Sequence, residues 1–401
     1  MRLVWLLMAA GAAGPITAEV TAPVVREGGD WVQIISGSVP IATHARLRVT
    51  TIGSIALRGG ALETLSYSLK KRVRANDKTA AEAVFRNLAL KSLGLKSLGL
   101  KSGERGGWLV LSVSASMSPR YSAELVITAP RDLVQATLET RGGTISASGF
   151  DGDISAKTGG GRIDLDELRS NADARTGGGE IHAGRVAGRL RAYTGGGAIR
   201  VNSAGQECWL DTAGGDIHVH EAAAPVHAAT AGGSIRVDRA ATEIYAKTAA
   251  GVIEVGQAGG IVTAETSGGA IQVNGARGVR CESSAGTIRL RNMQGAMRAA
   301  TTRGSILAQL QSGQRLEDSL LSTVLGDITV LLSSNTPVTI QARNESAGSK
   351  RRIVSEFREI RIRNADWESN DPVLAEGVLN GGGPVLRIVT SSGMIFLRRQ
   401  K

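Results

Sequence analysis

Aromatic residues are scarce, with 5 Trp, 4 Tyr and 4 Phe in 401 residues. Proteins that grip single-stranded nucleic acid stack bases on aromatic rings, so this scarcity argues against that class despite a formal net charge of +11. No nucleic-acid reader motif accompanies the charge, and nucleic acid is not an expected partner. Cys208 and Cys281 are the only thiols. Two are too few for a disulfide framework or a CxxC metal pair, so the fold must hold without covalent staples. Only 9 Pro accompany 52 Gly and no strict three-residue period does, which excludes a collagen helix. Hydrophobic content of 42% with 21% charged residues excludes general disorder and supplies a core.

No apolar run reaches the ~17 to 25 residues of a membrane-spanning helix. The run at residues 3–13 follows a single Arg and leads to small residues ending at Ala18, the layout of a secretory signal peptide. Residues 1–18 are therefore read as a signal peptide, with no transmembrane span once it is removed. The expected location is exported: periplasm, cell surface or extracellular.

Glycine is abundant, and it is in register. The strings TGGGRIDL, TGGGEIHA, TGGGAIRV, TAGGDIHV, TAGGSIRV, TAAGVIEV and TSGGAIQV recur at a fixed spacing, the signature of a repeat architecture. Their Ile residues are Ile145, Ile163, Ile181, Ile199, Ile217, Ile235, Ile253, Ile271, Ile288 and Ile306, with Ile328 and Ile395 as looser members. Two residues before each stands Gly143, Gly161, Gly179, Gly197, Gly215, Gly233, Gly251, Gly269, Gly286, Gly304, Gly326 or Gly393, and five before each stands Thr or Ser. A glycine fixed at one place marks a backbone position that needs positive φ or the close approach of a neighbouring coil. These glycines are read as structural corners.

Between corners, apolar residues alternate with period two, as a strand's side chains must. The expected inward columns are Ile154/Ala156, Leu190/Ala192, Cys208/Leu210, Val226/Ala228 and their equivalents, with Leu165, Val201, Val219 and Val237 on the next strand. Neither short strand of a unit can bury its apolar side alone, so the units must stack. The fold class is all-β: a β-solenoid (β-helix) of about ten regular 18-residue coils with irregular β-rich N- and C-terminal covers. At ~4.8 Å per coil the regular part would be a rod of roughly 45 to 50 Å. The domains follow: 1–18 signal peptide; 19–130 an N-terminal β region with a helical and LKSLG-pentad excursion near 79–105; 131–331 the regular solenoid; 332–401 further coils and a cap. Thr390, Gly393 and Ile395 restore the register at the C-terminal end, and TIGSIAL around Ile55 echoes it near the other.

The run AELVITAPRDLVQATLETRGGTISASGFDGDISAKTGGGRIDL, with a strand ending at Ala129 and Pro130 before the repeats, resembles the bacterial putative-adhesin family. The resemblance covers about residues 45–401, including the terminal LRIVTSSGMIFL; the LKSLG pentads depart from the family's pattern. It implies an exported or membrane-attached β-solenoid domain and transfers no catalytic residues.

The residues themselves show no catalytic motif. No GxxxxGK string occurs, so the GGG clusters are corners rather than phosphate cradles. No GxSxG elbow occurs either. Outward carboxylates such as Asp164, Asp166, Asp216, Asp238 and Glu254 are scattered among Arg200, Arg236 and Arg289, which fits a solvated charged face better than a glycosidase pair. Asp216, His218 and His220 alternate outward on one strand, but Arg200 and Arg236 would flank His218 and repel a cation, so no metal and no cofactor is expected. Cys208 and Cys281 lie on inward columns about four coils, or ~19 Å, apart, which makes them buried free thiols.

The candidate binding residues form the outward column Arg191, Trp209, His227 and Tyr245, with Tyr193 nearby; these are the regular solenoid's Trp and Tyr residues. Outward rings at ~4.8 Å steps would make a flat amphipathic stripe for a sugar or a protein surface. Alternatively the rings stack on each other as cross-strand pairs. The expected function is an exported, non-enzymatic interaction protein at the cell envelope, with an anionic envelope polymer, a glycan or a surface protein as partner. A carbohydrate-active enzyme on the same rod, or a purely structural envelope or assembly protein, remains the alternative.

Overall fold

Side chains that alternate with period two and glycines that recur every coil leave the backbone one economical solution: short parallel strands, bent at each glycine and hydrogen-bonded to the equivalent strand of the next coil. The computed structural model describes residues 19–41, 44–87, 89–93, 108–114, 121–310, 313, 316–345, 352–363 and 371–400. Residues 1–18, expected to be a signal peptide, and the second LKSLG pentad, residues 95–99, lie outside these; the first pentad falls largely in the strand Ala89–Leu93. The chain divides into two compact units, residues 1–191 and 192–401. Each is a β-solenoid whose coils contribute alternately to two parallel sheets.

In the first unit, the strands Gln135–Thr140, Asp153–Thr158 and Ala172–Thr176 stack in one sheet with Ala136, Ile154 and Ala172 in register. Ile145–Ser148, Ile163–Asp166 and Ile181–Val186 stack in the other with their Ile residues aligned. The echo around Ile55 is a true coil: Arg46–Thr51 places Leu47 beside Ala136, and Ser54–Gly60 places Ile55 beside Ile145. Described strands between this coil and residue 135 help to cover it. Trp108–Ser114 and Tyr121–Pro130 continue the two sheets, and the long antiparallel pair Asp30–Pro40 and Thr64–Val73 closes one of them. The expected helix is present at Lys78–Asn87. Asp77 accepts the Ala80 N–H at 2.8 Å as its N-cap, and the buried Lys71 ammonium donates to the Phe85 carbonyl at 3.1 Å near the other end.

In the second unit, Ile199, Ile217, Ile235, Ile253, Ile271, Ile288, Ile306, Ile328 and Ile395 form one continuous buried column. The looser members Ile328 and Ile395 are therefore in strict spatial register. Stack order departs from chain order at the C-terminal end. Val385–Ser392 and Ile395–Arg399 pair directly with Ser319–Leu325 and Ile328–Leu332. The earlier strand Val338–Asn344 lies beyond them, paired in turn with Val373–Leu379. The strands Val385–Ser392 and Ile395–Arg399 thus supply a coil, and Val338–Asn344 with Val373–Leu379 supplies cover beyond it.

The inward columns are buried as the alternation requires: Ile154, Leu190, Cys208, Leu210, Val226, Ile244 and Val262 are each at most 3% exposed. Close approach, rather than positive φ, explains the corner glycines. Among them positive φ occurs only at Gly326 and Gly393, at 157° and 151°. A Cβ on Gly161, Gly215, Gly251 or Gly269 would instead collide with the backbone carbonyl of the corner glycine one coil earlier.

The Thr five residues before each Ile has a role that the spacing did not disclose. Thr248 Oγ1 donates to the Gly233 carbonyl of the preceding coil at 2.9 Å and accepts the Gly251 N–H of its own coil at 3.1 Å. The same pair of bonds recurs at Thr158, Thr176, Thr212, Thr230, Thr266 and Ser283. One hydroxyl per coil satisfies a donor and an acceptor that the corner would otherwise bury unpaired.

The corner predicts opposite outcomes at adjacent glycines. Gly215→Ala drives its methyl into the Gly197 backbone and should cost at least about 2 kcal/mol. Gly214 has no atom nearer than 3.8 Å to a built Cβ, and Ala250 and Ala285 already stand at the equivalent place in their coils. Gly214→Ala should be neutral or stabilise by up to about 1 kcal/mol. Chemical denaturation of the two variants checks the contrast.

Candidate functional site

The strands Cys208–Thr212, Val226–Thr230 and Ile244–Thr248 are parallel, with Cys208, Val226 and Ile244 aligned and buried. The period of two then forces Trp209, His227 and Tyr245 outward in a single column. Trp209 and His227 stack with ring centroids 3.9 Å apart and planes 5° from parallel; His227 and Tyr245 stack at 4.8 Å and 2°. Trp209 and Tyr245 are 49% and 42% exposed, with His227 held between them.

This geometry decides what the row offers. Both faces of the imidazole are covered and each flanking ring has one face covered, so of the two arrangements the spacing left open the rings take the cross-strand stack, and the row presents ring edges rather than a flat stripe. Parallel in-register strands hold like positions about one strand spacing apart, so ring faces meet each other before they meet a ligand. The edges are polar as well as apolar. His227 Nε2 lies 3.3 Å from Glu207 Oε1, and the Tyr245 hydroxyl donates to Glu243 Oε2 at 3.2 Å. The Glu243 carboxylate, by charge and then by hydrogen bond, holds the Tyr245 phenol pKa above its ordinary value. The row is a ridge of two exposed rings and a clamped imidazole, edged by carboxylates.

The five candidate residues do not all join it. Tyr193 is 51% exposed at the end of the strand Leu190–Thr194 and takes part in no ring stack among the described residues. Arg191 is exposed and is the last residue of the first unit. The signal that the spacing missed is Glu207 and Glu243, each two residues before a ring position and immediately ahead of its strand, where each carboxylate reaches a ring of the row.

On the other sheet of the second unit, Arg200, His218 and Arg236 are aligned as the spacing requires. The carboxylate that gathers the imidazoles is Asp238, not Asp216. His218 Nε2 and His220 Nδ1 each lie 3.0 Å from Asp238 Oδ2, and Arg236 Nε donates to Oδ1 at 2.8 Å. Asp216 instead accepts the Ser234 N–H at 2.7 Å, which ties one corner to the next. Partial burial of Asp238 opposes its ionisation, but hydrogen bonds from His220, Arg236 and His218 outweigh it and hold its pKa well below the usual carboxylate range. A guanidinium thus occupies the position where a cation would be drawn. Among the described residues no group of three or more His, Cys, Asp or Glu is arranged to hold a metal ion.

The outward carboxylates Asp164, Asp166 and Glu254 are each engaged as well. Asp164 is bridged by Arg162 at 2.6 Å, Asp166 accepts the Glu167 and Arg185 N–H groups at 2.9 Å, and Glu254 pairs with Arg236 at 3.4 Å. Cys208 and Cys281 are buried free thiols, and burial pushes the pKa of both up to about 12, so neither is a thiolate nucleophile at neutral pH. No described helix is long and apolar enough to cross a membrane.

No protein-family model matches the chain, and no curated protein does. Solved structures similar to it include the following three. One is a putative cell adhesion protein from Clostridium sporogenes, 9% identical, aligned over 96% of this chain and 100% of its own, with a TM-score of 0.18. Another is a putative adhesin from Bacteroides fragilis, 15% identical over 74% of this chain and 97% of its own, with a TM-score of 0.27. The third is a putative adhesin from Parabacteroides distasonis, 9% identical over 73% of this chain and 97% of its own, also at 0.27. The chain resembles structures called putative adhesins. What the face can do rests on its own side chains.

The Asp238 cluster gives a pH prediction with a defined sign. A carboxyl whose native pKa lies below its ordinary 3.8 contributes stability that is present above that value and fades as the pH falls toward the native value. Asp238→Asn should lower the melting temperature by no more than a few degrees at pH 7, since partly exposed ion pairs contribute little. The gap to the parent protein should close as the pH falls below 3.8. Thermal melts from pH 7 to pH 2 measure it.

Proposed function

We propose that the chain is an exported, non-enzymatic interaction protein of adhesin-like character, acting at the cell envelope or surface through the outward columns of its coils. The observation that carries this reading is the exposed Trp209–His227–Tyr245 row, edged by Glu207 and Glu243, on a scaffold whose outward carboxylates Asp164, Asp166, Asp238 and Glu254 are each spent on internal contacts. A glycoside-cleaving pair needs two carboxyl groups free to face one bond, and these are tied down singly. The layout of residues 1–18 supports export.

Binding would be by pre-ordered contact. Side chains on stacked strands lose little freedom when a partner arrives, so weak contacts repeated along a column add without a large ordering cost. The net charge of +11 favours an anionic envelope polymer at long range, while the aromatic edges and carboxylates suit a glycan or a protein surface at contact.

The test is a glycan and envelope-fraction binding screen on the full chain beside the Trp209→Ala/Tyr245→Ala double variant. Removing two exposed rings should leave the melting temperature within a few degrees and weaken binding about tenfold or more. Unchanged binding of the double variant to every ligand that the parent captures would remove the row from function.

A further inference from the structure

Around the corner from the aromatic row, the second unit carries a groove of about 780 Å³ that crosses six successive coils, from Ser203–Gly205 to Asn292–Gln294. Its origin is local sequence. Where each strand of one sheet turns toward the other, the chain places a pair of small residues, such as Ala222–Ala223, Ala240–Ala241 and Ala258–Gly259, so the surface dips along the stack. Ala222 and Ala240 are buried and form the floor. Bonds from Ala223 N to Ala204 O, Ala241 N to Ala222 O and Gly259 N to Ala240 O, at 2.8–2.9 Å, pin that floor coil to coil.

The lip of the groove is polar and in register. Ser203, Glu221, Arg239 and Gln257 follow one another on consecutive strands. Elsewhere on the same sheet outward charges neutralise one another, as Arg236 does with Asp238 and Glu254. Among the described residues no hydrogen bond or ion pair engages the side chains of Glu221, Arg239 or Gln257. Donors and acceptors are therefore free above an apolar floor.

We propose that this groove is a binding subsite for a neutral, linear, β-linked polysaccharide laid along the stack, one sugar unit per coil. This deepens the proposed function and rests on reading the chain as a binding protein. Spacing favours that occupant. Lip residues repeat at one strand spacing, ~4.8 Å, close to the advance of one pyranose in an extended β-linked chain, whereas an extended peptide advances ~3.3 Å per residue and falls out of step. Carboxylate, guanidinium and amide groups match sugar hydroxyls, and the alanine floor matches the apolar C–H face of the rings. Glu221 offsets Arg239 on the lip and Arg277 is the one further charge of the lining, so no row of like charges runs along the groove to hold a polyanion.

The test is calorimetric titration of the full chain with β-1,4-linked glucose oligomers of two to six units, with a galacturonate hexamer and an extended Ser/Thr peptide as rivals. Affinity should climb with oligomer length, and Arg239→Ala and Ala241→Trp should each weaken hexamer binding at least tenfold. Ala241 is exposed, so the tryptophan fills the groove without entering the core; Gln257→Ala serves if that variant melts early. Equal binding of dimer and hexamer, no effect of the groove variants, or preference for the peptide or the polyanion overturns the proposal, as does absence of all binding. Hexamer binding lost in Trp209→Ala/Tyr245→Ala but kept in the groove variants overturns the groove and leaves the aromatic row standing. The converse result overturns the row and leaves the groove.

Discussion

At the corners of Thr158, Thr176, Thr212, Thr230, Thr248, Thr266 and Ser283 the side-chain hydroxyl reaches back to the glycine carbonyl of the preceding coil and, at the same time, receives the glycine N–H of its own. Both bonds require the two backbones to lie closer than any side chain would permit. The absent Cβ and the hydroxyl are therefore one device: glycine admits the approach, and threonine satisfies the polar groups that the approach buries. Because the device repeats, each coil is fixed to its neighbour in rotation as well as in height. The aliphatic columns then meet Ile on Ile rather than sliding by a residue, a slip that would turn every inward side chain to solvent.

That registration makes the surface functional. A column is a set of like positions held one strand spacing apart, so chemistry placed at one position of the repeat is repeated or graded along the stack. Trp209, His227 and Tyr245 become a ridge with carboxylates on its edges. His218, His220, Arg236 and Asp238 become a self-satisfied polar cluster that holds the face rigid. Ser203, Glu221, Arg239 and Gln257 become a lip of unspent polar groups. The three differ in what is left over for a partner, and the leftover capacity lies at the aromatic edges and along the lip.

Much of this was legible from residue spacing. The Ile column, the corners, the inward pairs such as Cys208/Leu210 and the outward column 209, 227 and 245 all follow from a period of two inside a period of eighteen, which is local information. What escaped depends on contacts between residues far apart in the chain or on the direction of a side chain. Thr140 reaches a carbonyl 87 residues away at Gly53, and Thr390 one 64 residues away at Gly326; the TIGSIAL echo and the Thr390, Gly393 and Ile395 register mark these segments as coils, but no local pattern says which regular coil each one slots against. Glycine at a corner is compatible with positive φ or with close approach, and only the neighbouring backbone decides between them. The rings were legible as a column, but their stacking face to face, and the turn of two imidazoles toward Asp238 instead of Asp216, are set by side-chain torsions that spacing leaves free.

The most direct measurement is native-state hydrogen exchange at the amides of Gly215, Gly233, Gly251 and Gly269. If the threonine hydroxyls hold these corners closed, the four amides should exchange only through opening of the whole stack, with the same free energy as the Ile amides beside them. Exchange at the rates of an exposed loop, while the neighbouring strands stay protected, would mean that the corners are loose turns and that registration of the coils comes from somewhere else.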